Sequence, residues 1–303
     1  MKKEQFMLNG LHAVIWQPDG PSKAVLQVTH GMTEHMGRYE DFAADLCRQG
    51  IAVAGFDLRG HGRNPGNPAI ASFGEGGWTV ALEDMRQFFL ELRQRFPGIP
   101  HYMLGFSLGS FLLREYLGLY PDGTAGAIIA GTGHEPGWLL SILMAVVSGQ
   151  IKKAGYDETT DLIRQLSFGT YNQSFKPNRT EADWLCSDAE ALDRYLADPL
   201  VRKDISAGLF RDLLGSMKKT GTPESYASWN KEMPVLLISG AADPVGKAGK
   251  GVNKLHTMLQ KAGLQRMTCQ LFPEARHDIF HENANGTADA LRQCIIDWLT
   301  AQM

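Results

Sequence analysis

The chain has 303 residues, 44% hydrophobic and 21% charged, with a formal net charge of -3. This is a globular composition, long enough for a large core and a subsidiary domain, and its near-neutral balance leaves no electrostatic footprint for nucleic acid. Cys47, Cys186, Cys269 and Cys294 are scattered without a C-x-x-C pair, so neither a disulfide framework nor a zinc site is indicated, and no cofactor is called for.

The stretch Met1 to Met7 carries positive charge but no apolar signal-peptide core. The most apolar run, Trp138 to Val147, falls short of the roughly 18 residues a membrane span needs. A cytoplasmic protein is expected.

In chain order, Leu11 to Trp16 reads as an opening strand stopped by the turn-forming Pro18 to Pro21. Lys23 to Thr29 is the next and ends at His30-Gly31-Met32. A helix follows with Phe42, Leu46 and Cys47 on one face, and Gly50 closes it. Ile51 to Phe56 is a third strand, leading into Asp57 to Gly62 and a Pro/Gly-rich loop. Trp78 to Phe96 is helical, with Leu82, Met85, Phe89 and Leu92 three or four apart, ended by Pro97-Gly98. His101 to Leu104 is a strand, and the apolar residues of Ser110 to Leu117 recur at helical spacing.

Gly126 to Gly131, Val235 to Ser239 and Met267 to Phe272 are the remaining strands, with helices over Lys247 to Ala262 and Thr287 to Gln302. Buried apolar strands alternating with amphipathic helices predict an α/β fold, a mostly parallel sheet covered on both faces. The intervening region shows helix starts at Ser187 with Glu190 three on, and at Thr222-Pro223, but no convincing strand. An all-helical cap over 134–231 is therefore expected, inserted into a core of 1–133 and 232–303.

Between the strand at His101 and the helix at Ser110 stands Gly105-Phe106-Ser107-Leu108-Gly109. Strand, tight turn and helix is the context that makes G-x-S-x-G a nucleophile elbow, with Ser107 raised at the strand's end. A serine nucleophile needs a base, and the base an orienting acid. Of nine histidines, His277 lies in the loop after the last strand, where it can return to the elbow; His281 is the second candidate. Asp243 follows the strand Val235 to Ser239, whereas Asp278 is too close in sequence to His277. The order Ser107, Asp243, His277 is the one expected of this architecture. Backbone N–H groups of Leu108 and Met32 are expected to hold the oxyanion.

His30-Gly31-Met32-Thr33-Glu34-His35-Met36-Gly37-Arg38-Tyr39, Asp57 to Gly62, the elbow, and Ala275 to Asp278 resemble the monoacylglycerol lipase/lysophospholipase-like branch of the α/β-hydrolase family. The resemblance implies an eight-stranded core, a cap, a metal-free Ser-His-Asp mechanism and carboxylic ester substrates such as monoacylglycerols or lysophospholipids. It implies structural roles for Glu34, His35, Arg38 and Arg59, tying the oxyanion loop to its neighbours. The chain departs from that branch at Phe106 and Leu108, where His and Met are usual, while its inserted region resembles bacterial relatives.

Trp138 to Val147 reads as a packed helix, as the wall of an acyl pocket, or as a surface for transient contact with lipid aggregates, with Lys152 and Lys153 beside it. Two other functions share the scaffold. A proline iminopeptidase would use acidic cap residues such as Glu181, Asp183 or Asp188 to hold a free amino terminus. A non-catalytic ligand receptor would keep the pocket without the chemistry.

Overall fold

The computed structural model describes residues 1–303. The first half contains β1 Lys2–Leu8, β2 Leu11–Gln17, β3 Ala24–Thr29, α1 Glu40–Arg48, β4 Ile51–Phe56, the short β5 Ile70–Ala71, α2 Gly77–Arg95, β6 His101–Phe106, α3 Leu108–Leu119 and β7 Gly126–Ala130. An inserted segment follows, with α4 Gly137–Ala154, α5 Asp161–Ser167, α6 Ala189–Ala197, the short β8 Asp204–Ile205 and α7 Ala207–Lys219. The chain then completes the core with β9 Val235–Gly240, α8 Lys250–Lys261, β10 Met267–Phe272 and α9 Thr287–Gln302.

Eight strands form one sheet in the order β1-β2-β4-β3-β6-β7-β9-β10. The β1–β2 hairpin and the β2–β4 pair are antiparallel, and every pair from β4–β3 to β9–β10 is parallel. This is the α/β-hydrolase fold. Strand residues alternate between its two faces, as a period of two demands. Tyr102, Leu104 and Phe106 of β6 join one cluster with Phe42 of α1 and Leu299 of α9. Met103 joins the other with Phe88 of α2, Leu112 of α3 and Leu255 of α8. Both faces are thereby covered.

Several expected boundaries move. β1 was not anticipated, because Lys2 to Gln5 are exposed and polar at the sheet edge, and only backbone pairing with β2 makes them a strand. The inserted segment is not all helical: β8 pairs with β5 over Asp204 and Ile205, a bridge set by tertiary approach with no local signal. Ser187 does not cap the helix expected there. Asp188 does, accepting from the Ala191 N–H, while Ser187 donates to Glu282. The helix expected from Lys247 begins at Lys250, because Lys247, Ala248 and Gly249 all have positive φ.

Three loops converge at the carboxyl ends of the parallel strands: 30–39 after β3, 241–249 after β9 and 273–286 after β10. The inserted segment is hydrogen-bonded to two of them. Arg202 N–H donates to Thr33 O at 2.8 Å, and Asp278 N–H to Leu185 O at 2.6 Å.

Candidate active site

Ser107 sits between β6 and α3 with φ 50° and ψ -117°, a conformation L residues rarely adopt. Its neighbours in the motif are glycine for a measurable reason. A Cβ on Gly105 would lie 2.3 Å from Gly109 O, and one on Gly109 would lie 2.1 Å from Thr29 O. Only bare backbone allows strand, turn and helix to approach that closely. The turn is pinned by Ser107 N–H donating to Ala130 O at 3.0 Å.

His277 stands over this turn. Its Nε2 lies 2.9 Å from Ser107 Oγ, and its Nδ1 lies 2.9 Å from Asp243 Oδ2. Asp243 is itself held: Ser239 Oγ donates to Oδ2 at 3.1 Å and the Val245 N–H donates to Oδ1 at 2.8 Å. An acceptor-only carboxylate on one side assigns the proton to Nδ1 and leaves Nε2 free to accept from the serine. Burial opposes the protonated imidazole, but the Asp243 charge and hydrogen bond outweigh it, so the pKa of His277 is raised above 6.5. Asp243 and His277 are almost entirely inaccessible, and Ser107 is half-buried. The structure thus brings together the three residues singled out from sequence.

His281 is not part of this relay. Its Nδ1 faces Asp278 Oδ1 at 2.8 Å and its Nε2 donates to Arg38 O at 2.9 Å. Asp278 in turn accepts from Arg38 Nη2 at 2.7 Å. Burial would raise the Asp278 carboxyl, but His281 and Arg38 together hold it well below the usual range.

The loop after β3 is organised by Glu34. Its Oε1 accepts from the Gly31 N–H at 2.6 Å and from Tyr39 Oη at 2.8 Å, and its Oε2 accepts from Arg38 Nη1 at 2.6 Å. His30 is pinned at both nitrogens, with Nδ1 donating to Gly31 O at 2.7 Å and Nε2 accepting from the Leu58 N–H at 2.9 Å. The next N–H along, that of Met32, has no acceptor within the protein. The Leu108 N–H opens α3 and belongs to the first-turn donors that a helix leaves unpaired. His35 bonds Asp198 of the inserted segment at 2.9 Å. Arg59 departs from its expected role, since it pairs with Asp84 of α2 at 2.5 Å and does not tie the oxyanion loop.

Sequence reasoning missed what covers the histidine. Trp184, from the inserted segment, lies 5.2 Å from the His277 ring, and the Tyr171 ring lies 4.9 Å from Trp184. No local pattern marks either residue, because the contact joins segments 93 and more residues apart. A groove of about 760 Å³ lies elsewhere, between the β1–β2 hairpin and α6, lined by residues such as Lys3, Trp16, Arg194 and Arg292. None of Ser107, Asp243 and His277 faces it. No group of three or more His, Cys, Asp or Glu side chains is placed to hold a metal ion.

A sheet of this topology with a serine elbow at the end of β6 defines a hydrolase of the α/β-hydrolase fold. The family described as "Serine aminopeptidase, S33" matches residues 20–284, and the chain belongs to it. The chain is 25% identical over 280 residues to a monoacylglycerol lipase of Mycolicibacterium smegmatis, covering 88% of this chain and 86% of that protein. It is 25% identical over 284 residues to the monoglyceride lipase of Homo sapiens, covering 88% and 83%. Among solved structures, a thermostable carboxyl esterase from Bacillus coagulans superposes with a TM-score of 0.86 at 23% identity, covering 99% of this chain and 98% of the other. These relatives agree with the resemblance read from the sequence.

Proposed function

We propose that the protein is a serine carboxylester hydrolase acting on acyl esters such as monoacylglycerols or lysophospholipids. The observation that carries this reading is the unbroken relay from Ser107 Oγ through His277 to Asp243, with both links at 2.9 Å. Ser107 attacks the ester carbonyl and its proton passes to His277 Nε2. The imidazolium then donates that proton to the departing alkoxide, and in the second half-reaction His277 activates water to release the acyl group. Asp243 holds the tautomer and offsets the imidazolium charge. The Met32 and Leu108 N–H groups, both without acceptors in the folded chain, receive the oxyanion.

Residues 134–231 act as a cap on a core of 1–133 and 232–303. In support, the segment is inserted between β7 and β9 and packs Trp184 and Leu185 against the loop that carries His277. The outer face of α4 favours transient contact with lipid aggregates. Trp138, at 68% exposure, stands with Ile142 and Val146 at spacings of four, followed by Lys152 and Lys153. Only Leu140 and Val147 of that helix are buried.

The family's description favours a second reading, an aminopeptidase. Two of the acids proposed for it are engaged elsewhere: Asp183 accepts from Thr180 and the Arg179 N–H, and Asp188 caps α6, while Glu181 is exposed. Neither Asp183 nor Asp188 is free to receive an ammonium group, which supports the ester reading.

The test is a chain-length series of p-nitrophenyl esters, with monoacylglycerol, lysophosphatidylcholine and aminoacyl-naphthylamides run alongside. Ester turnover lost in Ser107→Ala is expected, and Asp243→Asn is expected to lower kcat by about 10⁴-fold. Preferential cleavage of the naphthylamides would transfer the assignment to peptidase, and equal ester rates from wild type and Ser107→Ala would remove Ser107 from the chemistry.

A further inference from the structure

His277 uses its polar atoms completely. Nδ1 meets Asp243, Nε2 meets Ser107, and its backbone N–H donates to Trp184 O at 3.4 Å. Both ring hydrogen bonds lie in the imidazole plane, so they fix the ring along its edge. They do not stop it rocking about the line between its nitrogens, a soft motion because the outer torsion of histidine is broad. Whatever holds the ring against that motion must press on its faces.

Two aromatic rings do so. The Phe106 centroid lies 5.1 Å from that of His277 at an interplanar angle of 32°, and the Trp184 centroid lies 5.2 Å away at 31°. Phe106 comes from β6 and Trp184 from the inserted segment, so the two rings reach the imidazole from separate parts of the chain. Each is braced in its own layer. Phe106 meets Phe280 edge-on at 5.3 Å, and a Cβ on Gly31 or Gly131 would come within 3.1 and 2.7 Å of its ring. Trp184 stacks on Phe168 at 5.8 Å and touches Tyr171, and its backbone N–H donates to Asn172 Oδ1 at 2.8 Å. All three rings are buried.

The backbone around Trp184 is fastened to the histidine loop as well. Arg276 Nη1 donates to Asp183 O at 2.5 Å and to Cys186 O at 3.3 Å, and the Asp278 N–H donates to Leu185 O at 2.6 Å. Glu282 accepts from the Ser187 N–H at 2.8 Å and from the Arg276 N–H at 3.2 Å. One face of the clamp therefore belongs to the core and the other to the inserted segment, which is sewn to the loop it covers.

We propose that Phe106 and Trp184 are positioning residues that clamp the His277 imidazole between two aromatic faces, holding it in line with Ser107 and Asp243 and stabilising the imidazolium formed when the serine proton arrives. The proposal rests on the reading of His277 as the base. Aromatic faces carry negative potential, and a cation over a face is favoured most where water is excluded. The charged and titratable groups facing His277 are Asp243 from the β9 loop, Asp278 beside it and Glu34 from the β3 loop, while Tyr171 backs Trp184. The clamp adds to these acids a stabilisation of the same sign.

The experiment measures kcat and KM against pH on a p-nitrophenyl ester for wild type, Trp184→Leu, Trp184→Phe and Phe106→Leu, each checked for folding by thermal melting. Leucine keeps the site dry but has no ring potential, so each leucine variant is expected to lose about 30-fold in kcat, the rate equivalent of one desolvated cation–π contact. KM should hold, and the acid limb of the profile should move to lower pH, since the protonated form has lost support. Trp184→Phe should restore both. A change in KM alone would make Trp184 part of the acyl pocket and overturn the clamp. Loss of kcat with an unmoved acid limb and no rescue by phenylalanine would reduce it to packing and overturn it too. Should Phe106→Leu not fold, the two Trp184 variants decide, since that ring comes from outside the core. His277→Ala separates the levels. If it retains wild-type kcat, the base assignment fails and the clamp with it; if it is inactive while Trp184→Leu is normal, the clamp fails alone.

Discussion

Arg38 and Asp278, 240 positions apart in the chain, bond at 2.7 Å and so join the loop after β3 to the loop that carries His277. The other arm of the same guanidinium bonds Glu34 at 2.6 Å, whose second oxygen holds the Gly31 N–H. One half-buried cation therefore sets the spacing between the oxyanion loop and the base.

Removing that cation leaves the buried Glu34 and Asp278 carboxylates without their shared arginine, Glu34 keeping only neutral donors and Asp278 only His281 among its side-chain partners. Arg38→Met is expected to cost about 3–5 kcal/mol, the range for breaking a buried ion pair from one side. Urea denaturation of wild type and variant measures it. A cost near the ~0–1 kcal/mol of a surface pair would mean the loops are held by something else.

The strained serine predicts a divergence between stability and activity. At φ 50° glycine is at ease where alanine is not. Ser107→Gly and Ser107→Ala should both be inactive on esters, yet the glycine variant should be the more stable by about 1 kcal/mol, roughly 2 °C in Tm. Identical melting of the two variants would show that the turn stores no strain.

Buried neutral histidines predict sensitivity to acid. Burial pushes His61 and His101 down to about 3, helped by His30 in the first case and Arg93 in the second. Below pH 6.5 the unfolded chain binds protons these two cannot take up when folded, so stability falls as pH falls from 6.5 towards 3. The contribution is about 1.4 kcal/mol per pH unit for each. His277 has the opposite sign and a different window: its raised pKa stabilises below 6.5, and that share is lost as pH rises through its folded value. His101, stacked on Phe89 at 4.3 Å with an unpartnered Nε2, offers a clean control. Denaturation of His101→Leu between pH 4 and 6 should show a slope shallower by about 1.4 kcal/mol per unit, and an unchanged slope would show that His101 is protonated in the folded protein.

A close backbone approach inside the elbow predicts an intolerant position. Gly109→Ala places a methyl group 2.1 Å from Thr29 O, and neither a strand end nor a helix start can yield that far. The expected outcome is loss of soluble protein, read by expression and size exclusion. A soluble, active variant would mean that α3 can shift along β3.

Much of the fold was legible because its signals are local. β4 and β10 fall where their apolar runs lie, and α9 spans the residues its periodicity marks. β1 and β8 were illegible because pairing, not composition, makes them strands. The start of α8 was misjudged because positive φ at Lys247 and Ala248 leaves no mark in side-chain pattern.

By itself the sequence determined which residue types stand at the ends of which strands: Ser107 in a glycine-flanked turn after β6, Asp243 after β9 and His277 after β10. Those follow from short-range sterics and apolar periodicity, which the chain states residue by residue. Only the tertiary structure decided that His277 turns to Ser107 while His281 turns to Arg38, and that Phe106 and Trp184 flank the imidazole. Those choices depend on which buried partner satisfies each polar atom and which ring fills each face, and the partners lie as far as 243 residues away.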